Sequence, residues 1–105
     1  MDPVYRAISD PTRRAILDRL RQSDASAGEL AQRFPVSRPA ISRHLRVLRE
    51  AALVVERREG RSRIYSLEAT PIERIDHWVA RYRPFWSALL QDLKEFVGPP
   101  KEDRE

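Results

Sequence analysis

The chain of 105 residues contains no cysteine. Disulfides, thiolate metal sites and redox chemistry through sulfur are therefore excluded, in keeping with a reducing compartment. Glycine is nearly as scarce, with Gly28, Gly60 and Gly98 alone, too dispersed for a loop that cradles a phosphate. Of the two histidines, His44 and His77, neither has a partner at a spacing that suits general-base or nucleophilic chemistry, so catalysis is not expected. The longest unbroken apolar run is Ala51 to Val55, far short of the ~20 residues of a membrane-spanning helix. The opening M-D-P-V-Y carries no secretory pattern. A soluble cytoplasmic protein without a membrane partner is the expectation.

What is present is charge, unevenly placed. Charged residues make up 34% of the chain and apolar residues 41%, with a formal net charge of +4, which suits one small domain with a highly charged surface. Between Val36 and Tyr65 stand eight arginines, Arg38, Arg43, Arg46, Arg49, Arg57, Arg58, Arg61 and Arg63, against Glu50, Glu56 and Glu59, a local net of +5. The rest of the chain is then close to neutral. Cations gathered in one segment point to a polyanionic partner, double-stranded nucleic acid above all. A GC-rich genome accounts for choosing arginine over lysine but not for the clustering.

Helix starts are marked by a capping residue followed by proline at Asp2-Pro3, Asp10-Pro11 and Thr70-Pro71, since proline loses nothing at a position whose N–H has no intrahelical acceptor. Ser26 and Glu29 have the spacing of a capping box. These signals predict helices over Pro3 to Ile8, over Pro11 to Arg21 with Ile16, Leu17 and Leu20 inward, and over Ala27 to Phe34 with Leu30 and Phe34 buried. The residues Gln22 to Ala25 read as a polar loop.

A tight turn through Pro35 and Val36 leads to S-R-P-A-I-S-R-H-L-R-V-L (Ser37 to Leu48), a helix predicted over about 37–50. Ser37 caps it, and Ile41, Leu45 and Leu48 recur at helical spacing on one edge. The opposite edge carries Arg38, Ser42, Arg43, Arg46 and Arg49. Two short helices joined by so short a turn match helix-turn-helix geometry.

Over about 53–67 the pattern becomes β, with a reversal at Glu59-Gly60, where Gly60 can take the positive φ that tight hairpins need. Tyr65 and Leu67 are expected to face the core, and Arg57, Arg58, Arg61 and Arg63 to line the strands and tip. From Ile72 the apolar positions step by three and four through Ile75, Val79, Tyr82, Trp86, Leu89, Leu93 and Phe96, a heptad seam on a helix predicted over about 71–97. Trp78, Phe85, Leu90 and Val97 widen the stripe beyond what a thin domain can cover, so a second copy of the chain is the expected partner, through Ile75, Val79, Tyr82, Trp86, Leu89 and Leu93. Pro84 predicts a kink or break near Arg83. Gly98-Pro99-Pro100 predicts the helix stop, and 99–105 a disordered tail.

The D-P-T-R-R-A-I-L opening, the V-S-R-P-A-I-S-R-H-L-R-V-L-R-E-A segment, the R-E-G-R hairpin and the two tryptophans of the last helix together resemble the ArsR family of winged helix-turn-helix regulators. The resemblance covers nearly the whole chain. It implies a mainly α fold with a β-hairpin, a single winged helix-turn-helix domain over 1–98, homodimeric through its terminal helices, which binds an inverted-repeat operator and usually represses transcription. It further implies DNA-facing roles for Ser37, Arg38, Ser42, Arg43 and Arg46 on the recognition helix and for Arg61 and Arg63 in the wing. Arg57 is counted with them, and Pro39, on the exposed first turn, is placed against a thymine methyl.

The metal-sensing members of that family use cysteines in the third helix or spaced Asp, His and Glu ligands in the last. Here G-E-L-A-Q-R-F has no cysteine, and Asp76-His77 are adjacent and diverge on a helix, so no metal and no cofactor is expected; the resemblance is to the non-sensing branch. His44 is expected either to touch DNA or to pack along the helix edge. Two other readings stay open at this level: a winged helix serving as a protein-interaction or RNA-binding module, and a MarR-like regulator. The first has no need of arginine on both helix and hairpin, and the second calls for longer flanking helices.

Overall fold

Backbone capping decides where the first helices begin. The computed structural model describes residues 2–97, starting with α1 (Asp2–Ile8) and α2 (Pro11–Leu20). Asp10 is the N-cap of α2: it holds extended backbone geometry, and its carboxylate accepts the Arg13 amide at 3.0 Å, with Pro11 opening the helix. The capping box forms at α3 (Ala27–Arg33), where Ser26 Oγ accepts the Glu29 amide at 3.1 Å and Glu29 Oε1 accepts the Ser26 amide at 2.7 Å. Each such cap satisfies amides that the helix itself cannot.

Ser37 Oγ caps α4 (Arg38–Glu50) in the same way, accepting the Ala40 amide at 3.2 Å, whereas Thr70, expected to cap the next helix, is itself the first residue of α5 (Thr70–Ala80) and its hydroxyl donates to Glu68 Oε2. Ala25–Ser26 form a short strand, β1, where the sequence suggested only a polar loop. Two residues are too few to show an alternating pattern, and the pairing depends on a strand forty residues further on. The hairpin strands are β2 (Val54–Glu59) and β3 (Ser62–Leu67), and the sheet order is β1-β3-β2, all antiparallel.

The chain divides after Glu73 into two compact units. In the first unit the core is built by Val4 and Ala7 of α1, Ile16, Leu17 and Leu20 of α2, Leu30 of α3, Ile41, Leu45 and Leu48 of α4, and Leu53, Val54 and Tyr65 of the hairpin, all buried. Each fully buried aliphatic side chain here contributes ~1.5–3 kcal/mol of transfer free energy. Phe34 and Leu67, both expected inside, are half-buried at the edge of this core.

The second unit begins at Arg74 and includes most of α5 and all of α6 (Arg83–Val97). The helix predicted over about 71–97, with a kink or break expected near Arg83, is broken into two helices at 81–82. Pro84 has no N–H and its ring would clash with the carbonyl of Ala80, and the chain passes through a tight turn: the amides of Arg81, Tyr82 and Phe85 bond to the carbonyls three residues before them, Trp78, Val79 and Tyr82. Helix α6 restarts with Pro84 in its first turn, the one place a helix accepts it. The expected stop at Gly98 and the tail over 99–105 lie outside the described residues.

Candidate nucleic-acid interface

The face of α4 opposite Ile41, Leu45 and Leu48 presents Arg38, Pro39, Ser42, Arg43 and Arg46, every one exposed. Ser37 is exposed as well; its Oγ is used as acceptor by the cap, which leaves its O–H free to donate outward. Arg43 and Arg46 point away from the core and have no carboxylate within ion-pair distance among the described residues. Arg38 stands nearer the core edge, its Nη1 3.7 Å from where a Cβ at Gly28 would sit, so it leans over the start of α3.

His44 lies on the other flank of α4, half-buried against α2. Its Nδ1 is 3.1 Å from Arg13 Nη1 and 4.0 Å from Asp10 Oδ2. Arginine has only donors, so Nδ1 accepts and a neutral ring carries its proton on Nε2. Arg13 also donates to the carbonyls of Ala7 at 2.7 Å and Arg6 at 3.0 Å, closing the end of α1. Of the two roles expected for His44, packing along the helix edge is the one its surroundings support. The Arg13 amide, outweighing the desolvation that opposes it, holds the Asp10 carboxyl below the usual carboxylate range.

The exit from α4 is a Schellman turn. Ala52 N–H bonds to Arg49 O and Leu53 N–H to Leu48 O, both at 2.9 Å, and Leu48 and Leu53, the apolar positions of the motif, are both fully buried. Ala52 takes φ +61°, a left-handed conformation that usually falls to glycine. At the hairpin tip Gly60 has φ +63° while Arg61 does not share it, as in a type II′ turn.

Strand register sorts the wing arginines onto two faces. Glu56 stands opposite Tyr65 and Arg58 opposite Arg63, on the face that carries the buried Val54 and Tyr65; Arg57 stands opposite Ile64 on the other. Arg57 Nη1 donates to Asp24 Oδ2 at 2.8 Å and to Ser66 Oγ at 3.0 Å, and its Nε to Glu59 Oε2 at 2.9 Å. The Arg57 guanidinium, then the Ser66 hydroxyl, lower the Asp24 carboxyl, and Asp24 and Glu59 in return raise Arg57. So Arg57 ties the hairpin to the loop before β1. Arg63 donates to Glu56 Oε2 at 2.8 Å, and the other Glu56 oxygen accepts Arg49 of α4 at 2.7 Å. Burial raises the Tyr65 phenol, Glu56 adds to the effect, and Arg49, Arg63 and Arg38 oppose it.

Arg38, Arg43, Arg46, Arg58 and Arg61 thus remain without a carboxylate partner among the described residues, whereas Arg49, Arg57 and Arg63 are paired. Arg58 was not singled out in the sequence as a contact. Counting two residues along β2 from Glu56 would have placed it on the inward face, had the register been known.

In the second unit, no residue of α6 is buried. Trp86, Leu89 and Leu93 are 39%, 58% and 51% exposed, Tyr82 is exposed in the turn, and Ile75 and Val79 of α5 are half-buried. Trp78, Tyr82 and Phe85 form an aromatic run across the break, with ring centroids 5.2 and 6.3 Å apart. Arg83 reaches Asp76 at 3.5 Å. No three histidine, aspartate or glutamate side chains gather as metal ligands among the described residues. No described helix is long and apolar enough to cross a membrane.

A helix-turn-helix domain family matches residues 8–57. The chain is 42% identical over 82 residues to the transcriptional repressor SdpR of Bacillus subtilis, covering 78% of this chain and 91% of that one. It is 38% identical over 102 residues to the HTH-type transcriptional regulator Rv2034 of Mycobacterium tuberculosis, covering 97% and 92%. Among solved structures, an ArsR-like transcriptional regulator from Rhodococcus sp. RHA1 superposes with a TM-score of 0.73 at 34% identity, over 91% of this chain and 88% of that one.

Proposed function

This chain belongs to the ArsR family of winged helix-turn-helix transcriptional regulators, and from that premise we propose a cytoplasmic DNA-binding repressor, without catalytic activity, that works as a homodimer on an inverted-repeat operator. The observation that carries the DNA-facing assignment is the solvent face of α4, where Arg43 and Arg46 stand exposed with no neutralising carboxylate among the described residues.

Arg43 and Arg38, near the N-terminal end of α4, are assigned to guanine O6/N7 edges, the commonest specific contact of the major groove. Arg38 must swing off Gly28 to do so. Ser37 donates to a phosphate at the helix N-terminus, where the backbone amides favour an anion, while Ser42 and Arg46 line the groove and Pro39 offers apolar contact. Arg61 at the wing tip approaches the flanking backbone, with Arg63 behind it. Two copies joined through the apolar stripe of Ile75, Val79, Tyr82, Trp86, Leu89 and Leu93 set their recognition helices one duplex turn, ~34 Å, apart.

Fluorescence anisotropy on random duplex and on fragments captured from genomic DNA tests this. Wild-type protein is expected to bind random duplex with log K falling steeply against log salt, and to prefer the captured fragments. Arg43→Ala should relax preference at one operator position by ~1–3 kcal/mol. Equal weakening on all sequences would remove Arg43 from the base-reading set, and no salt-dependent DNA affinity at all would overturn the function.

A further inference from the structure

A carboxylate sits inside the arginine-rich segment. Glu56 is the only acid on the inward face of the hairpin strands, and its side chain is 17% exposed. Each of its oxygens accepts a guanidinium from a different element: Oε1 from Arg49 in the last turn of α4 at 2.7 Å, Oε2 from Arg63 of β3 at 2.8 Å. On a surface meant for phosphates, a bare carboxylate opposes binding. Here it joins three elements at one point, next to the buried Tyr65 ring.

The backbone supplies a second joint at the same place, because the Schellman turn through Ala52 and Leu53 leads from Arg49 directly into β2. Pairing of β3 with β1 and burial of Val54 and Tyr65 hold the base of the hairpin in the core. The Glu56 bonds add a side-chain tie from both strands to the last turn of α4. Isolated exposed ion pairs do little, but a largely covered carboxylate with two short charge-assisted bonds constrains both partners.

The geometry points to Glu56 as a positioning residue that latches the wing to the C-terminal end of the recognition helix, so that base-reading and phosphate-binding arginines keep one spacing. The inference rests on the DNA-facing assignment of α4 and the hairpin made above. It has a signature that simple loss of structure lacks. Removing the charge frees Arg49 and Arg63 for phosphates, so attraction to any DNA rises while the match to one sequence loosens.

Glu56→Gln, of the same shape, is assayed by anisotropy on random duplex and on the captured operator across a salt series. Random-duplex affinity should rise and the salt slope steepen by about one unit for each arginine newly on a phosphate. The operator-to-random ratio should fall about tenfold, the size of a weakened base contact. Arg49→Gln cuts the helix arm and removes a cation, so it should lower the ratio without raising random affinity. The double variant should lower the ratio no further than either single one, since both break one device. A wild-type ratio in Glu56→Gln, or additive losses in the double variant, overturns the latch. Arg43→Ala separates the two failures. If it loses base preference while Glu56→Gln keeps the wild-type ratio, the latch alone falls; if both variants bind like wild type at every salt, the DNA-facing assignment falls and takes the latch with it.

Discussion

Leu89→Glu puts the proposed pairing of two chains to its sharpest test, because the side chain it changes is 58% exposed in a single chain and glutamate is as good a helix former as leucine. The folded monomer therefore has little to lose. Complete burial of a leucine side chain is worth ~1.5–3 kcal/mol, and the share still exposed corresponds to roughly 1–1.7 kcal/mol. A two-fold interface counts every contact twice, so the lost apolar burial comes to about 2–3.5 kcal/mol per dimer. Burying a carboxylate in the opposite apolar stripe adds a desolvation penalty of several kcal/mol unless a cation meets it. Even half that penalty brings the change above ~4 kcal/mol, or about a thousandfold in the dimer dissociation constant. Sedimentation velocity and light scattering at micromolar concentration should then report monomers, with an unchanged circular dichroism spectrum. DNA affinity should drop as well, since one half-site holds one recognition helix. A dimer that persists would show that α6 is not the seam.

Other perturbations follow from single geometric facts. Ala52→Gly relieves a left-handed alanine but loosens the unfolded chain, and should stabilise by ~0.5–1 kcal/mol, seen as a melting temperature a few degrees higher; destabilisation would mean the conformation carries no strain. Asp10→Asn keeps the α2 cap and deletes its charge. The folded carboxyl titrates below its ordinary value, so its contribution is present above the unfolded pKa and lost as pH falls through the folded one. The wild type should exceed this variant by a few tenths of a kcal/mol to ~1 kcal/mol near neutrality, and denaturant titrations at descending pH should show the gap closing below about pH 4; a constant gap refutes the charge effect. Arg57→Ala should leave the salt slope of DNA binding unchanged, because Asp24 and Glu59 already hold that cation, whereas Arg58→Ala should flatten it by about one unit. The reverse result would exchange their roles.

Much of this molecule is legible in local sequence. The cap residues Asp10, Ser26 and Ser37 act on amides two or three positions ahead, so their effect needs no tertiary contact. Ile41, Leu45 and Leu48 identify the buried edge of α4 because helical periodicity leaves no other face for them, and the arginine edge follows by elimination. Gly60 marks the hairpin tip through its own φ, and Pro84 announces an interruption through its missing donor.

Which cations remain available is another matter. Arg57 looked like its neighbours until the fold brought Asp24, thirty-three positions away, within 2.8 Å, and Arg63 until the strand pairing brought it to Glu56. Arg58 gained its place only when the register set Arg63 opposite it. The strand at Ala25–Ser26 likewise exists because Tyr65 and Ile64 pair with it. Helix phase, caps and turns are short-range consequences of backbone sterics and were settled by the residues themselves; whether a charge is spent on a neighbour or left for a ligand depends on distances between segments remote in the chain, and those only the tertiary structure decides.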